Sequence, residues 1–364
     1  MKIFVFGSSI TSSYWNGAAT YYRGIYRSLH RLGHEITFAE PDIYGRQQKR
    51  DVGEIEYAKV RVYQTPTELE AMLDEANSAE LVIKHSGVGA DDQFLEAAVL
   101  DLHSPWRRLA FWDVDAPATL ARVRDDQRDP FRSLIPDYDF IFTYGGGEPV
   151  IDGYLSLGAR NCIPIYNALD PETHHPVAPS PELSCDLAFV GHRLPDREKR
   201  VEQFFLAAAE AAHDLRFNLG GEGWGGRKLP ENVRWIGHVG IGDHNLVNCS
   251  ARMVLNINRE SMAEVGFSPP TRVFEAAGSG ACLITDSWAG IEQFFEPERE
   301  ILVANSADDI VRYLRTLDRE QSQQIGSAMR ERALRDHTYQ KRAEEADRIL
   351  RLEEFAIRRA EVTA

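Results

Sequence analysis

Between Ser268 and Gly278 the chain sets a hydroxyl, two prolines, a threonine, a cation and an acid in an order that suits phosphate binding: Ser268-Pro269-Pro270-Thr271-Arg272-Val273-Phe274-Glu275-Ala276-Ala277-Gly278. The pattern predicts a helix. Ser268 can cap its first turn, the prolines sit where no N–H is needed, and Gly278 ends the run. A helix that starts directly after a sheet offers unpaired N–H groups and a positive dipole end. That is a site for a phosphate or diphosphate. Glu275 stands about one turn further in. Its carboxylate can accept hydrogen bonds from both hydroxyls of a ribose attached to that diphosphate. The plainer alternative is an ordinary β-α-β unit with a solvated glutamate.

A second set of reactive groups follows apolar runs in the first half. Leu81-Val82-Ile83-Lys84 leads into His85, and Leu109-Ala110-Phe111-Trp112 leads into Asp113-Val114-Asp115. Carboxyl ends of strands line the ligand crevice of open α/β sheets. Asp113, Asp115 and His85 are therefore candidate general bases for a hydroxyl. Capping the helix around Ala118 to Arg122 is the other role open to the acids, Asp115 above all. A core position is the other role open to His85. Gly145-Gly146-Gly147 permits close backbone approach to a ligand, or forms a mobile loop. His174 and His175 lack an acid at ligand spacing, so no metal is expected there.

These groups need strands and helices to hold them. Met253 to Ile257 and Cys282 to Thr285 are short apolar runs on either side of the phosphate-binding segment and predict buried strands. At the N-terminus, Lys2 to Phe6 is an apolar run closed by Gly7. Asn16-Gly17 then opens a helix whose face is Ala18, Tyr22, Ile25, Leu29 and Leu32, with Gly33 as its stop. Glu35 to Phe38 is the next strand. This β-α-β unit predicts a doubly wound sheet. It lacks Gly-x-Gly-x-x-Gly, which disfavours a nicotinamide dehydrogenase. Leu187 to Val190 closed by Gly191, a helix Arg200 to Ala212 and a strand Arg216 to Leu219 repeat the alternation. Trp224 and Trp235 suit core packing better than base stacking. Ser306 and Asp309 have capping-box spacing.

The chain has 364 residues, enough for two domains, with 43% hydrophobic and 27% charged residues and a net charge of −15. Non-specific nucleic-acid binding is disfavoured, because it needs lysines and arginines to neutralise phosphates. Four isolated cysteines, Cys162, Cys185, Cys249 and Cys282, suggest neither zinc nor a disulfide framework. The N-terminal apolar run is too short for a signal peptide, and no run reaches membrane-spanning length. The expectation is a cytoplasmic protein.

Pro270-Thr271-Arg272-Val273-Phe274-Glu275-Ala276-Ala277-Gly278-Ser279-Gly280-Ala281-Cys282-Leu283-Ile284-Thr285-Asp286, followed by Gly290-Ile291-Glu292, resembles the donor-site segment of group-1-type glycosyltransferases with the GT-B fold. The pattern is similar to that of the CgeB-like, spore maturation protein-like branch. Such a resemblance implies an α/β protein of two Rossmann-like doubly wound domains facing a central cleft. It implies a nucleotide-diphosphate sugar, such as a UDP sugar, bound in the C-terminal domain and an acceptor bound in the N-terminal one. Ser268, Thr271, Arg272 and Glu275 become donor residues. Many relatives carry another Glu eight positions before the last one; here that position is Phe267.

Other segments extend the likeness. Asn167-Ala168-Leu169-Asp170-Pro171 through Pro176 resembles the family's interdomain join. Gly191, His192, Arg193 and Arg197 stand where relatives place basic residues on the donor diphosphate. His238 and Val239 stand where relatives hold the nucleobase, and Arg259 faces the cleft. The resulting division is 1–170 for the acceptor domain, a linker at 171–184, 185–336 for the donor domain, and 337–364 as a helix crossing back. The expected activity is hexosyl transfer without metal or cofactor, the arginines and helix dipole stabilising the leaving diphosphate. Asp113-Val114-Asp115 has the spelling of a divalent-ion motif but lies in the acceptor half, so it is taken as cleft geometry. A nucleotide-sugar epimerase or hydrolase, and a non-catalytic nucleotide-sugar-binding module, are the rival readings.

Overall fold

The computed structural model describes residues 1–363, and the side chains of all of these except Asp196, Ile241, Ser261 and residues 352–363. The chain divides into two compact units. One comprises Met1–Tyr166 with Tyr339–Ala364, the other Asn167–Thr338.

The first unit carries seven parallel strands among the described residues. They are β1 (Lys2–Phe6), β2 (Glu35–Pro41), β3 (Lys59–Tyr63), β4 (Leu81–His85), β5 (Arg108–Asp113), β6 (Phe140–Thr143) and β7 (Ile163–Pro164), in the order β3-β2-β1-β4-β5-β6-β7. Every residue of β4 is buried, as expected of strands covered by helices on both faces. The chain order reverses at β1, so the loops after β1 and β4 flank the switch point where such sheets bind ligands.

The first helix is Ala19–Arg31, two residues later than the Asn-Gly signal suggests, and Gly33 follows it at φ 91°. Its Tyr22, Ile25 and Leu29 face the core as the spacing predicts. Its outer side is covered by the last helix, Tyr339–Thr363: Gly24 lets the Tyr339 ring approach, and a Cβ there would overlap that ring. His34 Nε2 meets Asp347 Oδ1 at 2.8 Å.

The second unit carries six parallel strands among the described residues: β8 (Cys185–Val190), β9 (Phe217–Gly220), β10 (Val233–Gly237), β11 (Ala251–Asn256), β12 (Leu283–Asp286) and β13 (Leu302–Ala304), in the order β10-β9-β8-β11-β12-β13. Its switch point lies between β8 and β11. The predicted helix Arg200 to Ala212 is three pieces, an α-helix Pro195–Val201, a π-helical turn Glu202–Leu206 and an α-helix Ala207–Ala211. The π turn swings Phe204 and Phe205 into the core.

The segment expected to be a linker is tied down within this unit. Val177 N donates to Cys249 Sγ at 3.4 Å and Ser180 N to Ser250 Oγ at 2.8 Å. All four cysteines are free thiols. Among the described residues no helix is long and apolar enough to cross a membrane.

Candidate functional site

The helix that carries the donor motif is Thr271–Ser279. Two helix signals act differently from the expectation. Ser268 is buried ahead of the helix and does not cap it; Pro270 occupies the N-cap position with no side-chain cap. Gly278 does not end the helix, which runs on to Ser279 and stops at Gly280, φ 70°. Gly278 serves close packing: a Cβ on it would lie 2.5 Å from Leu169 Cδ1 and 2.6 Å from the His174 carbonyl oxygen. No side chain is spent on capping: Val273 N donates to the Pro270 carbonyl at 3.0 Å, and the Thr271 and Arg272 N–H groups, without a partner among the described residues, remain open to a ligand.

Arg272 sits in that first turn, half-buried. It makes no hydrogen bond and no ion pair with any described residue, and burial pulls its pKa below the ordinary arginine value while the Glu275 carboxylate opposes the shift. A cation held without a partner is costly. Thr271 is half-buried at the first helical position.

Glu275, one turn along, is paired. Its Oε2 lies 3.1 Å from His244 Nδ1 on the helix Ile241–Ser250. Burial alone would raise the Glu275 pKa; the His244 hydrogen bond and charge, with Arg272 and His174, outweigh it and hold the group at about 2. Glu275 is therefore an ionised acceptor. His244 is absent from the sequence expectation, because the position of a lone histidine on a polar helix carries no signal until the helices pack.

The loop after β8 meets the loop after β9 at the same end of the sheet. Gly191 N donates to the Gly220 carbonyl at 2.9 Å, Arg193 N to the Glu222 carbonyl at 2.9 Å, and Glu222 N to His192 Nδ1 at 3.1 Å. Gly221, at φ 115°, has no room for a Cβ beside the Gly191 carbonyl. A Cβ on Gly191 would stand 3.1 Å from Arg197 Nη1, so that guanidinium lies against the loop.

His192 stacks on His238 at 6.3 Å between ring centroids, 15° from parallel. Burial, then the His238 ring and the Arg197 and Arg272 charges lower the His192 pKa, against Glu222. Residues 192, 197, 238 and 272 thus share one electrostatic neighbourhood. Val239 packs on Gly220, where a Cβ would be 2.8 Å from its Cγ2. Arg259 is half-buried at the N-cap of the helix Glu260–Val265.

Arg193 is turned to another task. Its Nη2 binds Glu198 Oε1 at 2.7 Å, and Arg227 binds the same oxygen at 2.7 Å. Trp224 is fully buried and donates to the Gly191 carbonyl at 2.7 Å, which fits the core-packing expectation. Trp235 is 42% exposed and donates to the Gly221 carbonyl at 3.0 Å. His174 is buried, and among the described residues no group of three or more His, Cys, Asp or Glu is placed to hold a metal ion.

Two of the three candidate bases of the first unit, His85 and Asp113, are held in the core. His85 is fully buried within the Tyr22, Tyr26 and Trp112 rings. Its Nε2 meets the Tyr26 hydroxyl at 2.5 Å, its Nδ1 lies 3.1 Å from the Trp112 carbonyl, and burial lowers its pKa to about 3. It is a core histidine with both nitrogens occupied. Asp113 is also fully buried. Its Oδ1 accepts from Ser86 Oγ at 2.6 Å and Asp115 N at 2.9 Å, and its Oδ2 from the Tyr154 hydroxyl at 2.5 Å. That carboxylate ties the loops after β4 and β5 together and has no lone pair aimed at solvent. Asp115 is exposed at the N-cap of the helix Ala116–Asp125, without a side-chain cap bond. Of the three it alone is an exposed residue.

The sequence expectation missed the scaffold of the loop after β1. Buried Glu40 accepts from Ile10 N at 2.6 Å and Gln47 Nε2 at 2.6 Å, and also from the Thr11 hydroxyl. Buried Arg46 donates to the carbonyls of Ser8 and Trp15, at 3.2 and 3.1 Å. Trp15, 76% exposed, is held at φ 48°.

Residues 197–348 match the model of a family described as glycosyl transferase-like. No curated protein matches the chain. Among solved structures, the chain is similar to sucrose-phosphate synthase from Thermosynechococcus elongatus, with TM-score 0.66 and 14% identity over 98% of this chain and 100% of that one. It is similar to Alr3699/HepE from Anabaena in complex with UDP and glucose, with TM-score 0.67 and 11% identity over 96% and 99%. The lipopolysaccharide outer core galactosyltransferase WaaB gives TM-score 0.58 and 13% identity over 95% and 99%. The fold is that of GT-B glycosyltransferases. The fold and the matched segment agree: a group-1-like GT-B fold whose second half is similar to a glycosyl transferase-like family.

Proposed function

We propose that this glycosyltransferase takes a UDP sugar in its second unit and passes the sugar to an acceptor bound by the first, without metal or cofactor. One observation carries the donor assignment. Arg272 is a half-buried cation without a hydrogen-bonded partner among the described residues, in the uncapped first turn of a helix at the switch point of the sheet. A diphosphate supplies what that arrangement lacks, two anionic groups for a guanidinium and open N–H groups. Glu275, ionised one turn away, accepts from the ribose hydroxyls. His192 and Arg197 close the diphosphate from the β8 side. The base is proposed as uracil because the similar HepE structures are complexes with UDP, UDP with glucose, or UDP-glucose.

In this reading the protein's own cations stabilise the leaving diphosphate. Arg272 and Arg197 bind its oxygens, and the helix N-terminus adds its dipole. Of the candidate bases, we take Asp115, the exposed one, for proton transfer. The Arg-x-Phe-Glu-Ala pattern supports a CgeB-like branch. Four free thiols fit a reducing compartment, and we assign the protein to the cytoplasm.

Thermal shift and calorimetry with UDP and UDP sugars test the donor site, since binding raises stability by mass action. No response to any of them, with a response to GDP or ADP, would reassign the base. Transfer assays with EDTA test the metal. Activity abolished by EDTA and restored by manganese would overturn metal independence.

A further inference from the structure

Glu275 and His244 come from different helices, yet their side chains meet at the candidate donor site, 12% and 15% exposed. Oε2 of Glu275 is taken by His244 Nδ1; Oε1 has no hydrogen-bond partner among the described residues. One oxygen is thus anchored and the other left open.

The helix that supplies His244 is itself pinned. Asn245 Nδ2 donates to the Thr173 carbonyl at 2.8 Å. Ser279 Oγ lies 3.1 Å from Asn245 Oδ1 and 3.0 Å from the Glu275 carbonyl. His174 backs the pair, its ring centroid 6.5 Å from that of His244. It is buried with neither ring nitrogen hydrogen-bonded, and burial lowers its pKa against the pull of the Glu275 carboxylate.

We propose that His244 is a positioning residue for the donor: by donating Nδ1–H to Oε2 it fixes the Glu275 carboxylate so that Oε1 faces the ribose hydroxyls of the nucleoside diphosphate. The inference rests on the donor-site reading above. A glutamate held in its binding rotamer spares the ligand the cost of ordering it. His244 then acts on affinity without touching the ligand. Because ribose contacts are made in ground state and transition state alike, its loss raises KM more than it lowers kcat.

The test is calorimetry with UDP and with 2′,3′-dideoxy-UDP on the parent, Glu275→Ala, His244→Ala, His244→Asn and His244→Gln. The Asn amide nitrogen falls near the place of Nδ1; the Gln amide reaches toward Nε2. His244→Ala and His244→Gln are expected to weaken UDP about fivefold or more, the factor for one lost hydrogen bond. His244→Asn should stay within about twofold of the parent. Dideoxy-UDP should respond to none of the substitutions.

If Glu275→Ala weakens UDP but His244→Ala does not, the positioning role is wrong and the donor site stands. Equal behaviour of Asn and Gln also overturns it, and this pair decides the matter if His244→Ala misfolds. If Glu275→Ala leaves UDP binding unchanged, or the parent does not bind UDP, the donor-site reading itself falls.

Discussion

The Phe267 ring occupies the space in which Gly290 would carry a Cβ. The two positions lock each other at the entrance to the donor helix. Phe267 is held in the left-handed region at φ 48°, its N–H donating to the Ala289 carbonyl at 2.7 Å, and Gly290 stands at φ 88°. A bulky residue in that region costs about 1–2 kcal/mol and persists where its surroundings hold it. Gly290→Ala would add a second strained residue and overlap the ring. We expect a loss of about 2–4 kcal/mol, read as a lower melting temperature, together with weaker UDP binding as the turn before Ser268 shifts. A variant as stable as the parent would show that the turn yields freely.

Asp113 is expected to behave as a structural acid. Asp113→Ala leaves Ser86 Oγ, Asp115 N and the Tyr154 hydroxyl without their acceptor. Each buried donor left unpaired costs about 1–3 kcal/mol. The melting temperature should fall sharply. His85→Ala should also destabilise, by opening a cavity among Tyr22, Tyr26 and Trp112. Asp115→Ala, at an exposed position, should leave the melting temperature unchanged and lower kcat if Asp115 moves the acceptor proton. A stable Asp113→Ala protein with no turnover would return Asp113 to the chemistry.

Most strands, the doubly wound character of the sheets and the donor helix were legible in the chain because apolar runs and helix signals are local; β3, whose residues are only half-buried apart from buried Tyr63 and exposed Lys59, was not. Roles at strand ends were less so. Asp113 and His85 follow apolar runs in the same way as a catalytic group would, and only packing shows Tyr154, Ser86 and Tyr26 occupying them. Arg193 and Arg197 are four apart on one segment, and the sequence cannot tell which of them Glu198 captures. His244 carries no local signal, since its partner lies 31 residues away, and Glu40 little, since Ile10 and Thr11 lie 30 and 29 residues away. Ser268 shows the limit of a capping rule: two prolines between it and the first helical turn move the N-cap to Pro270.

Glu275 also sets a pH dependence. Its folded pKa of about 2 lies below the ordinary value of 4.5. A depressed carboxylate contributes stability that is fully present above the unfolded pKa and lost as pH falls through the folded one. The window is therefore between about 4.5 and about 2, and the amount is on the order of 3 kcal/mol. Glu275→Gln should melt below the parent at pH 6, with the gap closing as pH drops toward 2. A gap that stays constant over that range would mean that His244 and Arg272 do not hold the carboxylate as described.

Arg272 should act on activity far more than on stability. Its guanidinium is half-buried with no hydrogen-bonded partner among the described residues, and burial lowers its pKa. Removing the buried cation relieves a desolvation cost and at the same time loses its attraction for the Glu275 carboxylate, so the two oppose and Arg272→Ala should change the melting temperature of the ligand-free protein little. The same substitution removes a charge from the leaving diphosphate. We expect kcat/KM to fall more than about tenfold, which corresponds to about 1.4 kcal/mol of lost transition-state stabilisation. Arg193→Ala is the control, because Arg193 is exposed and already bound to Glu198 at 2.7 Å. Exposed pairs of that kind contribute about 0–1 kcal/mol, so its kcat/KM should stay within about threefold of the parent. Measured side by side on folded proteins, the two variants separate a cation kept for a ligand from one that pairs on the surface. If Arg272→Ala melts well below the parent and retains its kcat/KM, Arg272 supports the fold rather than the diphosphate, and the helix N-terminus with Arg197 must carry that charge.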